Sequence, residues 1–228
     1  GLSVTVLEAA PMLMGRQLDA TAGSILEEIS RKNGIAIHTG ASISSIDGDE
    51  SGAVSGVSLS SGETFPADLV IVSAGVRANT GLAQEMGLKT EKAVVVNSRM
   101  ETGMKHVYAC GDCAEYKGAN FAIWPEASEQ GRVAGANAAG DELEYRPVSS
   151  ALTFNGMNTS LYAAGDNGKN PNLLYKTVEF KDMGKEQYRK FYFLNNRLCG
   201  VILIGDLSQM ARMSEALEQH ASYKEVVK

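Results

Sequence analysis

The 228-residue sequence contains no G-x-G-x-x-G segment, and no two of its 24 glycines are separated by a single residue. A glycine-rich phosphate cradle is therefore missing, which disfavours a self-contained dinucleotide binder. Cysteine is scarce and odd in number, three in all, so a secreted disulphide scaffold is excluded. Basic residues are outnumbered: 21 Lys and Arg against 27 Asp and Glu give a formal charge of −6 and a pI near 5.2. That balance leaves no electrostatic footprint for nucleic acid. No apolar run approaches the roughly 20 residues that span a bilayer, and no signal-peptide pattern opens the chain. His38, His106 and His220 have no neighbours at metal-ligand or triad spacing. What remains is 44% hydrophobic, enough for a real core, and the expectation is a soluble, cytoplasmic α/β protein.

The patterning alternates strands and helices. Residues 3–8 read as a short buried strand, 17–33 as a helix with Leu18, Ala22, Ile25, Leu26 and Ile29 on one face, and 35–38 as a strand completing a parallel β-α-β unit. Asn33-Gly34 is the expected helix stop. The chain opens on its first strand with no lead-in, which reads as a cut inside a domain. A meander follows over 41–47, 53–60 and 64–65. The run from Asp68 to Gly75 is continuously apolar, the pattern of a central buried strand. A short helix is predicted over 80–86, strands over 94–97 and 107–109, and a helix over 124–139 with Pro125 early and Gly140 beyond its end. Beyond residue 147 the spacing predicts an antiparallel sheet from 173–180, 188–194 and 197–204, the last two joined at Asn195-Asn196, and a final helix capped by Asp206 or Ser208.

The most informative stretch is Ala109-Cys110-Gly111-Asp112-Cys113-Ala114-Glu115, behind the strand-like His106-Val107-Tyr108. A strand stopping at Gly-Asp presents a carboxylate on a tight turn, with no Cβ at position 111 to block a ligand. Counted from Thr102, this is [ST]-x(3–5)-[VI]-[YF]-A-x-G-D, which resembles the second flavin-binding motif of the FAD-dependent pyridine nucleotide-disulphide oxidoreductase family. The resemblance implies that Asp112 holds the ribitol of FAD. Trp124-Pro125-Glu126-Ala127-Ser128-Glu129-Gln130-Gly131-Arg132 resembles the helix after that motif, whose N-terminal end would face the flavin's pyrimidine edge. Gly131 and Gly135 would let it pack closely, and Trp124 would lie near the flavin. Val4-Thr5-Val6-Leu7-Glu8 resembles the second strand of the NAD domain, where Glu8 would accept hydrogen bonds from the adenine ribose and favour NADH over NADPH. Ser73-Ala74-Gly75-Val76-Arg77-Ala78-Asn79 resembles the A-x-G-x-R-P-N crossover, with Ala78 in place of proline. The candidate cofactor-binding residues are thus Glu8, Gly75, Arg77, Asn79, Gly111, Asp112, Trp124, Pro125 and Glu126, with no catalytic side chain and no metal.

The later segments 154–158, 161–166 and 198–206 resemble the last domain of NADH:rubredoxin reductases and of nitrite reductase flavoproteins. The His-Pro-Thr of the disulphide-reducing branch is absent, since Ala221-Ser222 follows His220. The resemblance implies a partial Rossmann-like NAD domain (1–75), a partial FAD domain (76–146) and a small α+β interface or dimerisation domain (147–228). It also implies a C-terminal fragment lacking both glycine-rich loops, inactive alone and binding FAD weakly or not at all. The intact enzyme would pass hydride from NADH to FAD and electrons to a protein or small-molecule acceptor, with no membrane span and a homodimer open. The alternative is a non-enzymatic dimerisation or docking module. Cys110-x-x-Cys113 lacks a second ligand pair for zinc, and as a redox pair it is set aside because the flavin reading already uses its Gly-Asp.

Overall fold

The computed structural model describes residues 1–148 and 151–227. In chain order the elements are β1 (Val4–Glu8), α1 (Ala20–Lys32), β2 (Ile35–Thr39), β3 (Ile43–Gly48), β4 (Val54–Leu59), β5 (Thr64–Pro66), α2 (Gly81–Glu85), β6 (Val94–Val96), a single 3-10 turn (Gly111–Cys113), β7 (Ala114–Tyr116) and α3 (Trp124–Ala138). There follow β8 (Leu152–Gly156), β9 (Thr159–Gly165), β10 (Lys176–Asp182), β11 (Gln187–Leu194), β12 (Arg197–Ile204), α4 (Met210–Glu218) and α5 (Tyr223–Val226). Two compact units emerge: Gly1–Ile71 with the chain from Ala151 onward, and the stretch between them.

In the first unit β1 and β2 pair in parallel, Val4 opposite Ile35, with α1 as the crossover. Helix α1 starts three residues later than its apolar spacing indicates. Asp19 is its N-cap, accepting from the Ala22 amide at 2.8 Å. It stops as expected, Gly34 taking φ +79 where a side chain would be strained. The meander β3-β4-β5 is antiparallel as its alternation indicates. The larger sheet runs β10-β11-β12-β9-β8 and is antiparallel throughout. Both of its faces are covered. Leu161, Ala163, Tyr188, Tyr192, Ile202 and Ile204 pack on α1, while Tyr162, Phe191, Phe193, Val201 and Leu203 pack with Met213 of α4 and Val226 of α5. Double burial explains why β12 reads as an unbroken apolar run. Each fully buried Leu or Ile there stabilises by about 1.5–3 kcal/mol.

Four readings are corrected. Residues 68–75 form no strand, and Leu69, Ile71 and Val72 are 71%, 82% and 70% exposed. A central strand needs hydrogen-bonded neighbours, and among the described residues none flanks this run. For the same reason β1 is not buried: Val4 and Val6 are exposed, and its edge away from β2 has no partner among the described residues. Residues 107–109 give only an isolated bridge, Glu101 to Tyr108, because His106 turns to φ +62. The helix expected after residue 205, α4, begins at Met210 after Gln209; Asp206 instead closes a turn on the Ser208 amide at 2.9 Å.

Where α1 meets the sheet, polar groups are buried and paired. One Asp19 oxygen accepts from Lys190 at 2.7 Å, Tyr192 at 2.8 Å and Tyr188 at 3.1 Å. Burial alone would raise the Asp19 carboxyl, but Lys190, the Ala22 amide and Tyr192 outweigh it and hold the group below its ordinary value. Its stabilisation is complete above about pH 4 and drains away as pH falls through the lowered folded value. Asp19→Asn is therefore expected to cost about 1–3 kcal/mol at neutral pH. Urea unfolding should show the wild-type and variant midpoints converging on acidification; a gap independent of pH would contradict this account.

Candidate cofactor-binding site

The second unit is built around the Gly-Asp turn. Strands β6 and β7 pair in parallel, Val94 opposite Ala114. Glu115 of β7 is 2% exposed and accepts from the Lys92 and Ala93 amides at 2.7 and 3.1 Å, which fixes the approach to β6. The threonine that opens the motif closes the preceding loop: the Thr102 hydroxyl and amide both donate to the Val107 carbonyl, at 2.9 and 3.0 Å. Cys110 is extended, and Gly111 then turns the chain at φ +74. A Cβ at 111 would meet Ala127 of α3 at an ordinary 3.5 Å, so backbone conformation rather than space demands the glycine. Asn120 clamps the far side, its amide donating to the Asp112 and Ala114 carbonyls, both at 2.8 Å.

The turn is held against α3 by a buried polar chain. The Gly111 amide donates to Gln130 Oε1 at 2.8 Å, Gln130 Nε2 donates to the Tyr145 hydroxyl at 3.3 Å, and that hydroxyl donates to Glu126 Oε2. Glu126 and Gln130 are each 1% exposed and Tyr145 2%. Burial, then the Glu126 carboxylate, push the Tyr145 hydroxyl up to about 12, so it remains a donor at neutral pH. Glu126 Oε1 has no partner, the one orphaned carboxylate oxygen buried among the described residues. Helix α3 has Ile123 as a non-bonding N-cap and Pro125 in its first turn, so no side chain caps its amides.

Asp112 itself is exposed and makes no hydrogen bond or ion pair through its carboxylate among the described residues. It is free to take a ligand's hydroxyls. The fold thus brings Gly111, Asp112 and the start of α3 together. Trp124 is 84% exposed and Pro125 is exposed, whereas Glu126 turns inward to Tyr145. A Cβ added at Gly131 or Gly135 would meet nothing within 4 Å among the described residues, so no close packing within them demands these glycines. Gly75 takes φ +82 in the loop before α2, Arg77 is exposed, and Asn79 accepts from the Gly81 amide at 3.3 Å. No hydrogen bond ties these three to the Gly-Asp turn among the described residues. Glu8 lies in the first unit, half-buried, one carboxylate oxygen taking the Ala10 amide at 2.7 Å. Sequence reasoning missed Gln130, Tyr145 and Asn120. Gln130 lay inside the quoted helix segment, but nothing local marks Tyr145.

Residues 1–131 match the family described as pyridine nucleotide-disulphide oxidoreductase. The chain belongs to that family. Residues 149–221 match the rubredoxin NAD+ reductase C-terminal domain. The chain is 31% identical over its whole length to the nitrite reductase [NAD(P)H] of Bacillus subtilis, of which it covers 28%. It is 26% identical to the NADH-rubredoxin oxidoreductase of Clostridium acetobutylicum, with 92% of this chain and 51% of that protein covered. Among solved structures, an NAD-dependent persulfide reductase from A. fulgidus superposes with a TM-score of 0.83 at 25% identity, covering 98% of this chain and 46% of that one. The chain therefore spans about half or less of the relatives it matches. No helix among the described residues is long and apolar enough to cross a membrane.

Tyr145→Phe would leave Glu126 with no partner at all and is expected to destabilise the protein by about 2–3 kcal/mol. Adding Glu126→Leu should recover part of that loss, because the stranded carboxylate is gone. Denaturant unfolding of the two single variants and the double one checks it; strictly additive costs would break the coupling.

Proposed function

We propose that this chain is part of an FAD-dependent oxidoreductase that uses NADH, with residues 1–75 belonging to the NAD domain, 76–146 to the FAD domain and 147–228 forming a C-terminal interface or dimerisation domain. The observation that carries this reading is the exposed, unengaged carboxylate of Asp112, set on a positive-φ glycine beside the uncapped start of α3. Asp112 would accept hydrogen bonds from the ribitol. Amides at the start of α3, next to Trp124 and Pro125, would face the electron-rich pyrimidine edge and favour negative charge there. Glu126 would act from behind, through Tyr145 and Gln130, by keeping the turn and the helix in register. Gly75, Arg77 and Asn79 would shape the crossover between the two dinucleotide halves.

Bound FAD supplies the two-electron chemistry; the protein contributes orientation and electrostatics. Glu8, at the end of β1, would bind the adenine ribose of NADH and repel a 2′-phosphate. The relatives named for rubredoxin and nitrite support an electron-acceptor protein or module as the partner; the expected setting is the cytoplasm.

The chain alone is expected to hold FAD weakly or not at all and to purify colourless. Fused behind the N-terminal half of the Clostridium acetobutylicum relative, it should retain flavin near one per chain. Asp112→Ala in that fusion should weaken FAD binding at least tenfold, about 1.4 kcal/mol, by fluorescence titration. A fusion that binds no flavin, or an Asp112 variant that binds as well as its parent, would defeat the reading. In the same fusion Glu8→Ala should narrow the preference for NADH over NADPH, measured as the ratio of the two kcat/KM values.

A further inference from the structure

The fold places the two cysteines that flank Gly111-Asp112 at opposite ends of one tight turn. Cys110 is the extended residue before the 3-10 turn, and Cys113 is the last residue in it. The ends of such a four-residue turn lie within about 7 Å at Cα, and a disulphide spans about 4.4–6.8 Å. They occupy the cap and third positions of a helical turn, where in a capping box each side chain reaches the other residue's backbone. The Cys113 thiol donates to the carbonyl of Cys110 itself at 3.2 Å, so its sulfur already hangs over the residue it would join. Both are free thiols, Cys113 exposed and Cys110 half-buried. Burial, and secondarily the neighbouring Cys113 sulfur, push the Cys110 thiol up. Cys199, the third thiol, belongs to β12 in the other unit and donates to the Tyr192 carbonyl at 3.3 Å.

We propose that Cys110 and Cys113 form a redox-responsive dithiol, oxidised by a peroxide to an intramolecular disulphide. The exposed Cys113 sulfur, as thiolate, attacks one peroxide oxygen. The O–O bond breaks, the departing oxygen leaves protonated as water or an alcohol, and Cys113 becomes a sulfenic acid. The Cys110 sulfur then attacks the Cys113 sulfur; the S–O bond breaks, and the leaving hydroxide takes the Cys110 proton and departs as water. Two thiols lose two protons and two electrons, and the peroxide gains them. A dithiol reductant reverses the step by exchange. The cross-link would fix the turn that carries Asp112, but its formation does not depend on the flavin reading.

The test is limited hydrogen peroxide on the reduced chain, read by intact mass and iodoacetamide labelling. The expected product is lighter by two hydrogen atoms, and alkylatable cysteines fall from three to one. Peptide mapping should join 110 to 113, and dithiothreitol should restore all the thiols. In Cys110→Ser, lacking the resolving thiol, Cys113 should be trapped by dimedone as a sulfenic acid; the wild type should give little adduct. Added oxygen without hydrogen loss in the wild type would overturn the proposal. So would a cross-link through Cys199 or between chains, or dimedone labelling as strong in the wild type as in the variant.

Discussion

Much of the second unit hangs on the hydrogen bond from the Gly111 amide to Gln130. A positive-φ glycine is the loosest point of a chain, and a turn made there has little intrinsic reason to hold one orientation. Gln130, on the second turn of a helix rooted at residue 124, gives that amide a fixed acceptor. Tyr145 orients the Gln130 amide, since only its nitrogen can donate to the tyrosine oxygen while that hydroxyl donates to Glu126. Asp112 contributes none of this scaffolding. Its carboxylate is free because its neighbours do the positioning, a division of labour suited to a ligand-holding residue.

The first unit solves a similar problem with charge. An aspartate that caps a helix would ordinarily lie at a wet surface, where it contributes about 1 kcal/mol. Here Asp19 also takes a lysine and two tyrosines from β11, so a local helix signal becomes a tertiary lock between α1 and the five-stranded sheet. The sheet's other face is covered by α4 and α5.

What could be read from the sequence follows from where local chemistry decides. Pro125 announces the start of α3, Gly34 the end of α1, and Asn195-Asn196 the β11–β12 turn, where both residues take positive φ. The Gly-Asp motif gave the site its centre, and the family match over 1–131 agrees with that resemblance. The failures lie where tertiary partners decide. The β8–β9 hairpin turns at Met157-Asn158, both at positive φ, with the glycine at 156 one position before them. Asp19 looked like an interior helix residue because its cap role depends on backbone just upstream. Tyr145 sits in an irregular stretch after α3, and only the folded chain brings it beside Glu126 and Gln130. Residues 68–75 carry a pattern that outruns the partners available to it.

That last stretch has a practical corollary. Leu69-Val70-Ile71-Val72 is uncharged, rich in β-branched residues and largely bare, and the outer edge of β1 has no partner among the described residues, with two valines beside it. Such surfaces are templates for edge-to-edge pairing between molecules. In isolation, self-association through these surfaces should therefore rise steeply with concentration, and holdase chaperones should keep the chain dispersed.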